Sequence, residues 1–185
     1  MKKMIKGFST YLKCIFKGIK HSKGLYLGHK VHFTKGKIVF GKNVQVRPYT
    51  DIFCDSIFIG DNCDIGTRNR ICGTVKIESN VLIGPDNFIA SNTHLYEKVE
   101  VPIISQGAKE VERNGKIGII IGEGSWIGTH CAILGSVTIG RHCVIGANTV
   151  LNFDVPDYSV VVGNPDRIVK RYDFEKKEWT KVKRS

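Results

Sequence analysis

A repeat of six residues runs without interruption from Ile121 to Pro156, and it restricts the folds open to this chain more than any other feature. The first position of each hexad is Ile or Leu, and the fifth is small or β-branched. On a helix each repeat would advance by roughly 240°, so no single face could stay buried. On an extended chain six is a multiple of two, and both positions keep pointing the same way. The hexads therefore predict short strands separated by glycine-permitted bends, which is a β-helix.

The same period is present upstream of residue 95, with a weaker beginning near residue 27. Its first positions are again aliphatic or Phe: Leu27, Phe33, Phe40, Val46, Ile52, Ile59, Ile65, Ile71, Ile77, Ile83 and Ile89. The coils of a β-helix bury their apolar columns only by stacking on one another, so we expect one cooperative domain over residues 27–156. In a chain of 185 residues this leaves a short N-terminal segment, 1–26, and a C-terminal segment, 157–185.

Between the two runs the register breaks after His94 and resumes at Ile121. The intervening residues, 95–120, are rich in Lys, Arg and Glu. An insertion of this length in a regular solenoid is rarely a simple connection, because such loops commonly carry binding or catalytic residues. We therefore expect a protruding loop with a functional role.

Positive charge is concentrated at the N-terminus. Residues 1–50 contain twelve Lys or Arg and no Asp or Glu, so they account for the net charge of +11. Apolar residues recur there at steps of three and four from Met4 to Ile19, which predicts a basic amphipathic helix within residues 1–26. Two roles stay open, a cap on the first coil and a contact with anionic lipid at the inner face of the membrane. Lysines interrupt every apolar stretch, so we expect neither a signal peptide nor a membrane span, and no nucleic-acid readout module is present.

The cysteines and histidines give no indication of a metal site. Cys63, Cys131 and Cys143 occupy small fifth positions, where a thiol serves as a compact apolar side chain, and the chain has no Cys-x-x-Cys. Reduced thiols and the absence of an export signal favour the cytoplasm. His130 and His142 lie at fourth positions two hexads apart, so we expect both to be exposed, on different faces. We expect no catalytic metal.

Several motifs resemble a known family. The hexads of the form Ile-Gly-x-x-Ser/Cys/Thr-x, the segment Trp126-Ile127-Gly128, and the run from Val155 to Arg171 containing Gly163-Asn164-Pro165 are similar to the hexapeptide-repeat acyltransferases. The closest similarity is to their sugar O-acetyltransferase branch, which includes maltose, galactoside, xenobiotic and capsule or O-antigen acetyltransferases. The resemblance implies an all-β, left-handed parallel β-helix that forms a homotrimer, with acetyl-CoA as the donor and a sugar or polysaccharide as the acceptor. It also implies that the loop walls an active site shared with a neighbouring subunit.

The resemblance places a general-base histidine at His94, the last residue of the hexad that precedes the insertion. A sugar hydroxyl is a weak nucleophile at neutral pH, and a neutral imidazole can take its proton as it attacks a thioester. Direct transfer without an acyl-enzyme is therefore the expected mechanism. The implied acetyl-CoA contacts are Trp126, Gly128, Thr129, Ala147, Asn152 and Phe153, with Arg167, Lys170 and Arg171 at the phosphates. The acceptor contacts are the least defined, and the nearest matches are Asp64, Asn69 and Asn92.

Two other functions stay open at this point. The same base and donor site would serve an N-acetyltransferase of an amino-sugar nucleotide. A non-catalytic β-helix acting as a scaffold or membrane-docking protein is also compatible with the hexads, although the motifs that resemble acetyl-CoA contacts argue against it.

Overall fold

A computed structural model describes residues 19–34 and 36–182, and the regular secondary structure in this part of the chain is almost entirely β-strand. The strands before the insertion are β1 Lys20–His21, β2 Tyr26–Leu27, β3 His32–Phe33, β4 Lys37–Phe40, β5 Gln45–Val46, β6 Asp51–Ile59, β7 Asp64–Ile65, β8 Arg70–Ile77, β9 Leu82–Ile83 and β10 Phe88–Ala90. Most of them have two to four residues, whereas β6 and β8 have nine and eight and run through a corner.

The insertion forms two antiparallel hairpins before the coils resume. Its elements are β11 Asn92–His94, a 3-10 turn Ile103–Ser105, β12 Ala108–Glu110, β13 Glu112–Arg113 and β14 Lys116–Ile117. The remaining strands are β15 Ile119–Ile121, β16 Trp126–Ile127, β17 Ala132–Leu134, β18 Thr138–Ile139, β19 Val144–Ile145, β20 Val150–Leu151, β21 Ser159–Val162, β22 Arg167–Asp173 and β23 Glu178–Lys181.

Parallel pairing between successive coils arranges these strands in three faces. Face 1 contains β2, β5, β7, β9, β16, β19 and β21. Face 2 contains β3, the first halves of β6 and β8, β10, β17 and β20. Face 3 contains β1, β4, the second halves of β6 and β8, β15 and β18. The chain passes from face 1 to face 2 at the first corner, from face 2 to face 3 at the second, and from face 3 to face 1 at the third. The predicted parallel β-solenoid is confirmed.

The hexad positions build the core as predicted. On face 2, for example, Ile71, Ile89, Ile133 and Leu151 pair in one register and are fully buried. Fully burying a side chain of this size stabilises the fold by about 1.5–3 kcal/mol. Second-position glycines serve chiefly the close approach of neighbouring coils, since a Cβ on Gly122 would lie 2.5 Å from the carbonyl carbon of Gly140.

The fifth-position cysteines are buried thiols. Cys63, Cys131 and Cys143 each donate a hydrogen bond to a carbonyl oxygen of the next coil, at 3.1–3.2 Å between sulfur and oxygen. Burial raises the pKa of all three, which keeps them protonated and apolar. This confirms their predicted use as compact core residues. Cys54, Cys72 and these three are free, and Cys14 lies outside the described residues.

The third corner carries a ladder of asparagines in the left-handed conformation. Asn43, Asn62 and Asn80 have φ of 54°, 57° and 62°. Their side chains are linked by Asn43 Nδ2 to Asn62 Oδ1 (3.1 Å) and Asn62 Nδ2 to Asn80 Oδ1 (3.3 Å). Asn80 continues the ladder to Glu123 (3.0 Å). Asparagine tolerates positive φ better than other non-glycine residues, so the turn and the ladder reinforce each other.

The coil begins earlier than residue 27. Ile19 is buried in the core, and β1 pairs in parallel with β4, so the described chain is already part of the solenoid there. The predicted amphipathic helix falls mainly on residues 1–18, which lie outside the described residues. Within the described ranges, no helix is long and apolar enough to cross a membrane.

The C-terminal segment is more ordered than a tail. β21 continues face 1, and β22 and β23 extend it as an antiparallel meander. The meander is held by ring contacts of Tyr158 with His142 (5.5 Å between centroids) and with Phe174 (4.8 Å). Tyr172 contacts both Phe174 and Trp179. Residues 157–162 therefore belong to the solenoid, and 163–181 form a hairpin packed against its end.

Candidate active site

His94 stands on the first hairpin of the insertion, where the chain leaves the second corner. β11 pairs antiparallel with β12, and His94 faces Ala108 across the hairpin. The imidazole is exposed, and no side chain or backbone group in residues 19–34 and 36–182 forms a hydrogen bond with it. It lines an open groove of about 920 Å³, together with Asn92, Tyr96, Phe88 and Leu134. Both ring nitrogens are thus available to an incoming ligand.

A buried polar network fixes the base of this hairpin. Ser91, which is fully buried, donates its hydroxyl to Glu110 (2.5 Å) and accepts the backbone N–H of Thr74 (2.7 Å). The Thr74 hydroxyl also donates to Glu110, at 3.3 Å. Gly73 leaves the space for this arrangement, since it has φ +81° and a Cβ there would lie 2.2 Å from the Ser91 oxygen. Charge-assisted hydrogen bonds are about twice as strong as neutral ones, so the network anchors β11 and β12 to the coil below.

The outer part of the loop is held by local polar contacts. Glu97 is paired with Lys109 (2.5 Å), and the hydrogen bond from this lysine lowers the pKa of Glu97 to about 2. The Gln106 amide donates to the carbonyls of Lys98 and Val101 at 2.9 and 2.7 Å. The loop tip is otherwise solvated, with Val99 and Ile104 more than 90% exposed. The insertion therefore projects from the prism on a fixed base.

The predicted donor residues lie mostly away from His94 within one chain. Gly128, Thr129 and Ala147 are at the first corner, where Thr129 donates its hydroxyl to the Pro85 carbonyl (2.9 Å). A Cβ on Gly128 would lie 2.7 Å from the Ala147 nitrogen, so this corner is tightly packed. Trp126 projects from face 1 and is 50% exposed. Thr129 and His94 are consequently separated by the width of face 2.

The other predicted donor residues lie near the end of the solenoid. Asn152 and Phe153 follow β20 at the second corner, above the Leu134–Gly135 segment that lines the groove. Arg167, Lys170 and Arg171 stand on β22, exposed and without an ion pair within the described residues. Three free cations on one strand make an anion-binding surface chemically feasible.

The three candidate acceptor residues have different surroundings. Asn92 lines the groove two residues from His94 on the same strand, so both side chains point to the same side of β11. Asp64 lies on face 1 in a two-point ion pair with Arg47 (2.9 and 2.5 Å). Asn69 is 1% exposed, and its amide donates to the carbonyls of Gly66 and Gly84. Its carbonyl accepts the Asn87 N–H, so Asn69 serves the first corner, and the geometry gives no support to acceptor binding by Asn69.

His130 and His142 are exposed and lie at the first and third corners, which confirms the expectation from their hexad positions. Among the described residues, no group of three or more His, Cys, Asp or Glu side chains is placed to hold a metal ion.

Comparison with known proteins identifies the family. The family profile "bacterial transferase hexapeptide (six repeats)" matches residues 118–152. WbbJ of Escherichia coli K12, a protein named as a lipopolysaccharide biosynthesis O-acetyl transferase, is 30% identical over 81% of this chain and 68% of its own length. The chain belongs to the hexapeptide-repeat transferase family. A Mycobacterium tuberculosis protein named as an acetyltransferase is 29% identical, and the match covers 74% of this chain but about half (51%) of the relative.

Solved structures of two acyltransferases share this fold. AntD, an N-acyltransferase from Bacillus cereus, superimposes with a TM-score of 0.75 at 19% identity, covering 90% of each chain. A galactoside acetyltransferase in complex with coenzyme A gives a TM-score of 0.54 at 24% identity, covering 89% of this chain and 72% of its own. At these identities the likeness establishes the fold alone.

Sequence reasoning missed the residues that hold the hairpin. Ser91 is at a third position of its hexad, where three other coils carry Cys54, Gly73 and Gly135, so a small residue there gave no sign of a polar role. Glu110 lies inside the aperiodic insertion, 19 residues away along the chain. The only sequence signal for this contact was an acidic residue in the second half of the insertion, where the chain returns to the coils.

Proposed function

We propose that this protein is an acetyl-CoA-dependent O-acetyltransferase that modifies a sugar hydroxyl in surface polysaccharide synthesis. The observation that carries the proposal is the unpaired imidazole of His94 on a firmly anchored hairpin, facing an open groove. The kinship with WbbJ, named for lipopolysaccharide O-acetyl transfer, supports a sugar acceptor. The coenzyme A bound to the galactoside acetyltransferase of the same fold supports the donor.

His94 is the general base in the proposed reaction. A neutral ring nitrogen accepts the proton of the acceptor hydroxyl while its oxygen attacks the thioester carbonyl carbon. The resulting tetrahedral oxyanion collapses, the carbon–sulfur bond breaks, and the imidazolium returns its proton to the departing CoA thiolate. The acetyl group ends on the sugar oxygen, and the histidine is regenerated neutral. No acyl-enzyme is formed.

We further propose that the complete site lies between subunits of a homotrimer of left-handed coils. Support comes from the placement of Thr129 and Ala147 at the first corner and of His94 at the second, which one chain cannot bring together. A neighbouring copy would present its own first corner to this groove. Exposed apolar side chains on face 1, Leu82 and Trp126, would be covered in such a contact.

A subunit-mixing experiment tests the shared site. The two variants are His94→Ala and Thr129→Trp, which fills the donor corner, and each is expected to be inactive alone. Coexpressed in equal amounts, they should regain roughly a quarter of the wild-type rate, since one site in four combines an intact His94 with an intact donor corner. Mixed oligomers that form but stay inactive would refute the shared site.

The reaction itself is tested by CoA release as free thiol against a panel of free sugars, oligosaccharides and amino-sugar nucleotides. Mass spectrometry of the product, before and after mild alkaline treatment that cleaves esters but not amides, separates O- from N-acetylation. Acceptor-dependent release with an alkali-labile product supports the proposal. CoA release only with an amino sugar would replace it.

N-acylation of an amino-sugar nucleotide is the second candidate. It is favoured by the similarity in fold to AntD, whose structures contain dTDP or a dTDP-amino sugar with coenzyme A or 3-hydroxybutyryl-CoA. An amine with a free lone pair needs less help from a base than a hydroxyl does. His94→Ala should therefore reduce N-acylation less than O-acetylation.

We also propose that the protein is cytoplasmic, with its first coil facing the membrane surface. Lys20, Lys23 and Lys30 are exposed there, and the segment before Ile19 adds further lysines. Each basic residue near an anionic leaflet contributes about 1 kcal/mol of attraction. Cosedimentation with phosphatidylserine vesicles, but not with phosphatidylcholine vesicles, is expected at low salt. Equal recovery with both would refute this contact.

A further inference from the structure

A row of outward-facing side chains on face 2 leads away from the His94 groove. His32, Asp51, Arg70 and Phe88 come from successive coils and are aligned by strand register. With Phe53, which neighbours Asp51 on β6, we call this set the face-2 strip. Phe88 lines the groove beside His94, and the hairpin of His94 continues directly from the strand that carries Phe88. The strip and the groove therefore form one continuous surface.

The strip combines aromatic rings with planar polar groups. Asp51 contacts the His32 ring at 2.9 Å and accepts one hydrogen bond from Arg70 at 3.4 Å. The Arg70 guanidinium lies 5.2 Å from the centre of the Phe53 ring, and Phe88 is 44% exposed. Guanidinium has five N–H donors, so Arg70 retains donors for a ligand. Rings that stack on sugar faces, beside groups that hydrogen-bond hydroxyls, are the chemistry expected of a carbohydrate subsite.

The charge of the strip favours a neutral ligand. One carboxylate balances one guanidinium, and the carboxylate lies in the middle of the row. A nucleotide diphosphate would need an excess of cations, because phosphate is bound by unpaired Arg or Lys. Neighbouring strands are about 4.8 Å apart, so the three steps from His32 to Phe88 span roughly 14 Å. That length accommodates more than one sugar ring.

We propose that the face-2 strip is an extension of the acceptor site that binds the sugar units of a neutral oligosaccharide next to the unit being acetylated. This inference rests on the proposed function and narrows its substrate class to extended, uncharged glycans. Phe88 stacks on the ring adjacent to the one being acetylated, and Arg70 with Asp51 hydrogen-bonds the ring after that.

The test compares glucose, cellobiose, cellotriose and UDP-glucose as acceptors, with acetyl-CoA as donor. The variants are Phe88→Ala and Arg70→Ala. Matched controls are Phe58→Ala, an equally exposed phenylalanine on face 3, and Arg141→Ala, an exposed arginine paired with Asp157 at the third corner. In the wild type kcat/KM should rise about tenfold from glucose to cellotriose. In both strip variants the ratio of kcat/KM for cellotriose to kcat/KM for glucose should fall to about threefold or less. In both controls this ratio should keep its wild-type value.

Binding of cellotriose to the whole protein, followed by saturation-transfer NMR, separates the two proposals. If the wild type shows saturation transfer to cellotriose that Arg70→Ala abolishes, but acetylates no acceptor, the proposed reaction is refuted and the face-2 strip is supported. If the wild type acetylates glucose and cellotriose with the same kcat/KM, and Phe88→Ala changes neither value, the face-2 strip is refuted and the proposed reaction is supported. A preference for UDP-glucose that depends on Arg70, or no binding of cellotriose at millimolar concentration, would likewise overturn the inference.

Discussion

The anchor beneath His94 can be tested by removing one oxygen atom. Ser91→Ala deletes the donor to Glu110 and leaves the part-buried Thr74 N–H without its acceptor. A lost hydrogen bond to a charged group costs about 1.5–3 kcal/mol, and an unsatisfied buried donor costs about 1–3 kcal/mol. Ser125→Ala is the matched control. Ser125 is equally buried, donates to the Gly140 carbonyl and accepts the Cys143 N–H at 2.9 Å each, but at the third corner and without a charged partner.

Hydrogen exchange reports the two variants separately. The amides of Leu95 and Val111 are hydrogen-bonded within the hairpin and to its base, at 3.0 and 2.9 Å. An excess loss of about 1.4 kcal/mol in Ser91→Ala corresponds to about tenfold faster exchange at these amides than in the control. Turnover should also fall in Ser91→Ala, because His94, the proposed base, is no longer held in place, while CoA affinity stays close to that of the control. Equal exchange at Leu95 and Val111 in the two variants, with equal turnover, would refute the anchoring role of Ser91 and Glu110.

Three further predictions concern the scaffold. Ile133→Ala should lower the free energy of unfolding, measured by urea titration, by about 2–5 kcal/mol. Ile117→Ala, at a half-exposed position of the insertion, should change it by no more than about 0.5 kcal/mol. Similar losses in the two variants would contradict the placement of Ile133 in the core. The pKa values of Cys63, Cys131 and Cys143 are raised by burial, so the stability these thiols contribute is complete below the unfolded pKa of about 8.5 and is lost as pH rises above it. The urea midpoint should therefore drop between pH 8 and 9.5, and less so in the triple Cys→Ala variant; an equal drop would refute the assignment. Phe174→Ala removes contacts with Tyr158 and Tyr172, each worth about 0.5–1.5 kcal/mol, and should speed tryptic cleavage within β22 and β23. An unchanged cleavage rate would show that these rings do not hold the meander.

The solenoid could be predicted from sequence because its period is local and strict. Ile133 and Cys143 occupy first and fifth hexad positions, and both are buried. These positions point inward in every hexad because six is a multiple of the two-residue period of a strand. The place of His94 at the start of the projecting hairpin could also be predicted, since the hexad register breaks directly after it. Its surroundings could not. The link from Ser91 to Glu110 joins a periodic coil to an aperiodic insertion, and no spacing rule connects the two.

The C-terminal strands show a second limit of prediction from sequence. β22 and β23 are mostly exposed strands without an alternating apolar pattern, and they are held by rings of Tyr158 and His142, which sit at a corner of the last coils. Such contacts depend on three-dimensional proximity and leave no trace in the hexads. Asn69, the amide nearest in sequence to the expected acceptor position, shows the same limit, because its side chain is hydrogen-bonded to two carbonyls and an N–H of its own corner.

The central claim is that His94 removes the proton of an acceptor hydroxyl during transfer from acetyl-CoA. The most direct measurement is acceptor-dependent thiol release by His94→Ala, with CoA affinity determined by calorimetry on the same preparation and His29→Ala, an exposed histidine of the first coil, as the control. We expect turnover by His94→Ala to fall about 10²–10⁴-fold while the Kd for CoA changes less than about twofold, and His29→Ala to behave as wild type. Turnover by His94→Ala close to the wild-type rate would show that His94 is not the general base.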